Sequence, residues 1–311
     1  MAKPTTTRIE SLSVLLDGSE DGKMLLKETY DGVIENVQKN AISTQLKNTE
    51  LSGNPEAGTV EAKRFANSAS QAYGTARKGG AGNKVKGKTV TIPIDTDREF
   101  VEEIEQKDIS LLGVDGLLAK RSANHALRMT AELDTKFFAV GKTEGTQFKP
   151  ASSVTAIKDV IEAMAVAFET MKTDYIDGID RSMISVTLDP ASYSEIRNDL
   201  DKITNTNVDT TDAEFYMYHG VRVFSSNRLP AGVKIECMVD GSIAQPVMSK
   251  PYAAERIPMS EAIAVEMFFY YGTKAMSETN PFKRIVKAIG RASRIERKGF
   301  FLTMQKLMDK I

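Results

Sequence analysis

The chain has a single cysteine, Cys237. No internal disulfide can form, which suits a reducing compartment. Cys237 stands in the alternating run GVKIECMV, where its expected role is that of a small strand residue. Histidine is almost as scarce. His125 and His219 lie far apart, and neither has a cysteine or second histidine at ligand spacing, so no metal site is expected. His125 falls in SANHALRM on a predicted helix and His219 in the turn-like YHG, positions that suit surface or hydrogen-bonding roles. No GxSxG elbow or comparable nucleophile setting occurs. Nothing points to an enzyme, and no cofactor is expected. Long apolar runs are missing too, and the opening MAKPTTTRIE has no apolar segment of the secretory kind. These absences predict a soluble product made in the cytoplasm, without a membrane partner. Charge of one sign is also lacking: 41 Lys and Arg stand against 42 Asp and Glu. Any electrostatic function must therefore come from local asymmetry.

What is present is an ordinary globular composition, with 311 residues, 41% hydrophobic and 27% charged, enough for one large core or two moderate ones. One motif demands a decision. GNKVKGKT, Gly82 to Thr89, matches the phosphate-cradling pattern G-x-x-x-x-G-K-[ST] letter for letter. Such a loop functions only between a buried strand and a helix N-terminus. The preceding NSASQAYGTARKGGA is polar and glycine-rich, and the following VTIPIDTD is β-branched with a proline, which is strand chemistry. Asp189 in MISVTLDP resembles the magnesium-holding aspartate of such enzymes, yet before Pro190 it reads as a helix N-cap. The better reading of Gly82 to Thr89 is the lysine-rich tip of an exposed hairpin.

Local asymmetry is pronounced. From 61 to 91 the chain carries Lys63, Arg64, Arg77, Lys78, Lys84, Lys86 and Lys88 against Glu61 alone. Asp95, Asp97, Glu99, Glu102, Glu103, Glu105 and Asp108 follow at once, against Arg98 and Lys107. A basic arm on one copy thus has an acidic target on the next. If the two limbs around this tip run about fifteen residues each, the ribbon reaches roughly 50 Å, too thin to stand alone in water. Near the end, Lys283, Arg284, Lys287, Arg291, Arg294, Arg297 and Lys298 face only Glu296, which reads as a basic amphipathic helix.

Periodicity supplies the frame. Leu26, Tyr30, Val33, Ile34, Val37 and Ile42 recur at near-helical spacing in an arm that must pack on its own chain or a neighbour. Leu111, Val114, Leu118, Ala126, Met129, Leu133, Phe137 and Val140 mark one long amphipathic helix of about 45 Å, with an interruption expected near Gly113 to Gly116. SVTAIKDVIEAMAVAFETMK reads as a second helix, SMISVTL as a strand and DPASYSEIRNDL as a capped helix. Ile263, Val265, Met267, Phe269 and Tyr271 alternate as a strand with one buried face. The order predicts an α+β fold, not a regular βα alternation.

KVKGKTVTIPIDTDREFVEEIEQKDI, GVDGLLAKRSANHALRMTAELDTKFF, VTLDPASYSEI and HGVRVFSSNRLPAG, in that order, resemble successive segments of tailed-bacteriophage major capsid proteins of the Hong Kong 97 type. The resemblance runs over roughly residues 55 to 285 and rests on order and spacing. It implies an N-terminal arm (1–57), an extended β-hairpin loop (58–96), a peripheral domain with spine helix and β-sheet (97–149 and 246–280), an axial α/β domain (150–245) and a basic C-terminal extension (281–311). The implied function is structural: hexamers and pentamers closing an icosahedral shell around packaged double-stranded DNA, in a virion capsid whose subunits are made in the bacterial host cytoplasm. Scaffolding, portal and decoration proteins are the implied partners. Arg77, Lys78, Lys84, Lys86, Lys88, Glu99, Glu102, Glu103 and Glu105 become candidate intersubunit contacts. Lys283, Arg284, Lys287, Arg291 and Arg294 become candidates for contact with DNA or a neighbouring subunit.

Two alternatives stay in view, a nucleic-acid-binding accessory protein using the basic tail and a P-loop NTPase. An NTPase loses nucleotide binding on Lys88→Ala. A small nucleic-acid binder shows a steep salt slope, and a capsid protein sediments as large regular particles.

Overall fold

The structure is a computed structural model, and it describes residues 11–16, 20–68, 70–74, 87–109, 112–148, 151, 154, 156–173, 176–201, 217–276 and 285–289. In chain order its helices are α1 (Ser13–Leu16), α2 (Glu20–Asn40), α3 (Ile42–Leu46), α4 (Gly113–Glu144), α5 (Ile157–Glu169) and α6 (Pro190–Asp201). The strands of the first half are β1 (Thr59–Phe65), β2 (Gly87–Pro93), β3 (Thr96–Ile104), β4 (Thr146–Gln147), β5 (Lys172–Thr173), β6 (Ile176–Asp177) and β7 (Ile184–Leu188). Those of the second half are β8 (Met217–Tyr218), β9 (Val221–Ser225), β10 (Val233–Val239), β11 (Ile243–Ala244), β12 (Val247–Ser249), β13 (Ala253–Arg256), β14 (Ile263–Tyr271), β15 (Lys274–Ala275) and β16 (Ile285–Ile289). Two compact units result, one from 1–64, 88–137 and 243–276, the other from 65–87, 138–242 and 277–311.

The first unit is built on β14. Its burial alternates residue by residue, with Ile263, Val265, Met267, Phe269 and Tyr271 inward. β3 pairs antiparallel along its whole length, from Ile263 opposite Ile104 to Tyr271 opposite Thr96. β12 and β13 share the other edge. Against the inward face pack Val114, Leu118, Ala126, Met129 and Leu133 of α4, together with Leu26, Val33 and Val37 of α2. The helix is continuous from Gly113, so the expected interruption near Gly113 to Gly116 does not occur. Gly113 instead takes a positive φ of 76° at the helix entrance, and Gly116 sits inside the helix. The N-terminal arm docks on its own unit. Tyr30 hydroxyl lies 2.7 Å from Ser249 Oγ, and the buried Asp134 of α4 accepts the Ser43 N–H at 2.9 Å, satisfying an orphan donor at the start of α3.

β1 and β2 pair as the base of the ribbon with seven residues each, and residues 75–86 between the expected fifteen-residue limbs fall outside the described residues. Val60, Ala62, Val90 and Ile92 are buried there, and Ala62 and Ile92 cluster with Ala244 and Met276. The base is therefore anchored. Its attachment also depends on one close approach: a Cβ on Gly272 would stand 1.8 Å from the Pro93 carbonyl oxygen.

In the second unit a mixed sheet runs β4-β16-β10-β7-β9-β8 among the described residues, with β7 parallel to β9 and antiparallel to β10. Ile161, Met164, Ala165 and Phe168 of α5 and Ile196 of α6 cover β7, β9 and β10. Asp189 caps α6 as its sequence predicts, its carboxylate accepting the Ser192 N–H at 3.1 Å while Pro190 occupies the first helical position. Cys237 is buried on β10. Residues 285–289, expected in a basic helix, form strand β16 antiparallel to β10. The β-branched Ile285, Val286 and Ile289 suit a strand, and β10 offers the backbone groups that need pairing.

Gly272→Ala should force the Pro93 carbonyl to move and cost about 1–3 kcal/mol, the range for overpacking a filled site. A urea midpoint that falls with unchanged slope would show it.

Candidate intersubunit surface

Strand alternation sorts the acidic run of β3 into two faces. Phe100, Glu102 and Ile104 turn toward α4, whereas Asp97, Glu99, Val101 and Glu103 turn outward and are exposed. On the same outward face β14 presents Ala264, Glu266, Phe268 and Tyr270, and β13 presents Ala253 and Glu255. Lys250 lies over the Tyr270 ring, 5.7 Å from its centre. Asp97, Glu99, Glu103, Glu255 and Glu266 have no cation partner among the described residues. The face is thus a patch of carboxylates interleaved with Val101, Phe268 and Tyr270.

The inward face is bonded within its own unit. Glu102 accepts from Arg121 and from His125, whose Nε2 is 2.8 Å from Glu102 Oε1. His125 Nδ1 lies 2.6 Å from the Tyr252 hydroxyl, and its ring stacks on Phe100 at 4.6 Å. A carboxylate can only accept, so in the neutral ring Nε2 carries the hydrogen and Nδ1 accepts from Tyr252. The hydrogen-bonding role expected for His125 holds, but the residue is buried. Arg98 donates to Glu132 at 2.6 Å, and Tyr271 hydroxyl donates to the same oxygen at 2.8 Å. Sequence reading could not separate Glu102 from Glu99 and Glu103, although the period-two spacing to Phe100 and Ile104 carried the signal.

Of the other candidates, Glu105 follows β3 and pairs with Lys107 at 2.5 Å. Lys88 lies in β2, and Gly87 to Thr89 enter that strand, not a helix, so the phosphate-loop setting is not formed. Lys287 lies in β16. Arg77, Lys78, Lys84, Lys86, Lys283, Arg284, Arg291 and Arg294 fall outside the described residues.

In the second unit Arg181 bridges Glu162 and Glu169, at 2.5 and 2.6 Å, and donates to the His219 carbonyl at 3.1 Å. Hydrogen bonds donated to both carboxylates push its guanidinium further up from its ordinary value. This ties α5 to the β8–β9 turn, where His219 has a φ of 49°. An open cavity of about 650 Å³ beside it is lined by Asp177, Asp180, Arg181 and Asp240. Asp240 is already engaged by Arg222 and by Ser185, at 2.6 Å. Among the described residues no group of three or more His, Cys, Asp or Glu is arranged to hold a metal. Nor is any described helix long and apolar enough to cross a membrane.

Burial pushes the Glu102 carboxyl up, but hydrogen bonds from Arg121 and His125 outweigh it and hold the group below its ordinary 4.5. A depressed carboxyl contributes stability that is present above its unfolded value and lost as pH falls through the folded one. Urea midpoints taken downward from about pH 5 should fall less steeply for Glu102→Gln than for the wild type. Parallel curves would contradict this assignment.

No protein-family profile matches the chain, and no curated protein matches it. Solved structures do. The capsid of cyanophage P-SCSP1u aligns with a TM-score of 0.55 and 13% identity, covering 80% of this chain and 88% of that one. The mature capsid of bacteriophage PhiM1 aligns at 0.53 and 14%, covering 80% and 87%. The virus-like particle of Pyrococcus furiosus aligns at 0.50 and 11%, covering 84% and 97%. At such identities the likeness is one of fold, and the fold of this chain is the Hong Kong 97-type capsid fold, α+β as its sequence implies.

Proposed function

We propose that the chain is a structural major capsid protein whose copies, grouped as hexamers and pentamers, close an icosahedral shell around packaged double-stranded DNA. The observation that carries this reading is a fold shared over about four-fifths of the chain with subunits of capsids and a virus-like particle. A non-enzymatic role is part of the reading. Scaffolding, portal and decoration proteins are its proposed partners, and synthesis in a bacterial host's cytoplasm its proposed origin.

The charge distribution supports a specific contact. The basic stretch of one copy, Arg77, Lys78, Lys84, Lys86 and Lys88, lies across the outward face of a neighbour's β3, against Asp97, Glu99 and Glu103. Each exposed pair contributes only about 0–1 kcal/mol in water, so the charges fix register more than affinity. Many modest contacts repeated by symmetry then hold the shell. The N-terminal arm, hairpin loop, peripheral and axial domains carry their family roles under this reading, and the basic residues from Lys283 onward face DNA or a neighbour.

Negative-stain microscopy of the full-length chain should show closed shells or hexamers and pentamers, and deletion of Gly74 to Lys88 should remove them. Glu99→Lys with Glu103→Lys should weaken assembly without lowering the melting temperature of the free subunit. A full-length chain that stays dispersed, even with added scaffolding protein, would sink the reading.

A further inference from the structure

β3 is the edge of its sheet, pairing with β14 and with no other strand among the described residues. Which of its backbone groups that leaves free follows from β14. The Phe268 carbonyl accepts the Lys250 N–H at 2.8 Å, and the Gly272 N–H donates to the Pro246 carbonyl at 3.2 Å, so the even-numbered residues of β14 aim at the β12 side. The odd-numbered ones therefore bond β3, and the register matches them to Thr96, Arg98, Phe100, Glu102 and Ile104. Asp97, Glu99, Val101 and Glu103 are left with their N–H and carbonyl groups aimed away from the sheet. Next in that series, Glu105 is closed off: its N–H donates to the Asp108 carboxylate at 3.0 Å and its carbonyl accepts the Asp108 N–H at 2.9 Å. The backbone of the four residues before it has no such partner among the described residues.

Proteins ordinarily guard an edge with a short strand, a proline, a bulge or a lysine. β3 is nine residues long, holds no proline, and keeps its register without a break. Its one guard is acidic. The four residues with free backbone groups are also those whose side chains stand outward, three of them carboxylates and the fourth Val101, which is 47% exposed. That guard is selective. Two β3 strands side by side would set carboxylates beside carboxylates, which disfavours a second copy. A basic strand meets the opposite balance.

We infer that the free edge of β3 receives an extended segment of a separate protein, which adds a strand to the sheet through the backbone of Asp97, Glu99, Val101 and Glu103. Main-chain hydrogen bonds would give such a segment affinity, and alternate side chains its specificity. The edge selects lysine or arginine beside Asp97, Glu99 and Glu103 and an apolar residue beside Val101, with every second residue turned to the other face. This place differs from that of the neighbour's ribbon proposed above. A ribbon crossing the outward face stacks about 10 Å above the sheet, whereas an added strand lies in its plane, about 4.8 Å beyond β3. The surface is complete in one subunit, so it stands or falls apart from the shell reading.

The probe is a labelled peptide in which lysine alternates with threonine and a central valine replaces one lysine, so that it reads alike from either end. Its control has the same composition with the lysines in one block. The full-length chain should bind the alternating peptide about tenfold more tightly than the control, because both carry the same charge but only one matches the strand period. Val101→Pro removes an N–H that the ladder with β14 does not use, so it should leave the fold intact and reduce the alternating peptide to the level of the control. Amide exchange of the wild type gives a reading that needs no variant. The amides of Arg98, Phe100 and Glu102 should be protected in the free chain, and those of Asp97, Glu99, Val101 and Glu103 should gain protection only when the peptide is added. Equal affinity for the two peptides, or no gain of protection at those four amides, overturns the inference and leaves the shell reading standing. Particles that form in the wild type but are lost in a folded Val101→Pro chain place a segment of this chain on the edge and overturn the assignment to a separate protein.

Discussion

The first unit depends on burying one face of one strand. β14 directs Ile263, Val265, Met267 and Phe269 to one side, and their full burial is worth roughly 6–12 kcal/mol before chain entropy is counted. No other element of the unit can gain that stabilisation by itself. β3 would be a lone acidic ribbon without β14, α4 would have an unshielded apolar stripe, and α2 is too short an arm for a core of its own. Docking on the same face satisfies all three at once. The polar ties then fix geometry where the apolar packing only requires proximity: Glu102 with Arg121 and His125, Glu132 with Arg98 and Tyr271, Asp134 with the start of α3.

That arrangement leaves the opposite face of the sheet with work undone. Five carboxylates stand there without cations among the described residues, beside partly buried aromatic rings. In an isolated subunit such a face is solvated and adds nothing to stability. It also keeps copies apart, since like faces repel. In the proposed shell the same repulsion becomes discrimination, because only a basic segment fits, and the chain carries one between β1 and β2. At the base of the ribbon Val60, Ala62, Val90 and Ile92 are buried within their own subunit.

Where a segment's burial follows from its own periodicity, the sequence revealed it. The alternation of 263–271, the stripe of α4 and the Asp189–Pro190 cap each depend on neighbours within one element, and each was legible. So were the strand that holds Lys88 and the strand that holds Cys237. What could not be read depends on partners distant in sequence. β16 is a strand because β10 offers it an edge, a fact outside residues 283–298. His125 is buried because Phe100, Glu102 and Tyr252 close around it, from two other parts of the chain.

The acidic run after the ribbon shows how little separates an internal tie from an external surface. Glu102 and Glu103 are adjacent in sequence and identical in chemistry. One lies under α4, bonded to Arg121 and His125, and the other opposite Ala264 on the outward face. Only the pairing register decides which is which. A slip of one residue against β14 would turn Val101 and Glu103 inward, expel Phe100 and Ile104, and leave His125 without its carboxylate. The energetic difference is large, since it exchanges a buried aromatic stack for a buried unpaired charge. Register is therefore held from the inside by packing. The outer face inherits its acidic pattern from that constraint, and any partner that recognises Glu99 and Glu103 is reading a surface that the hydrophobic core has already set.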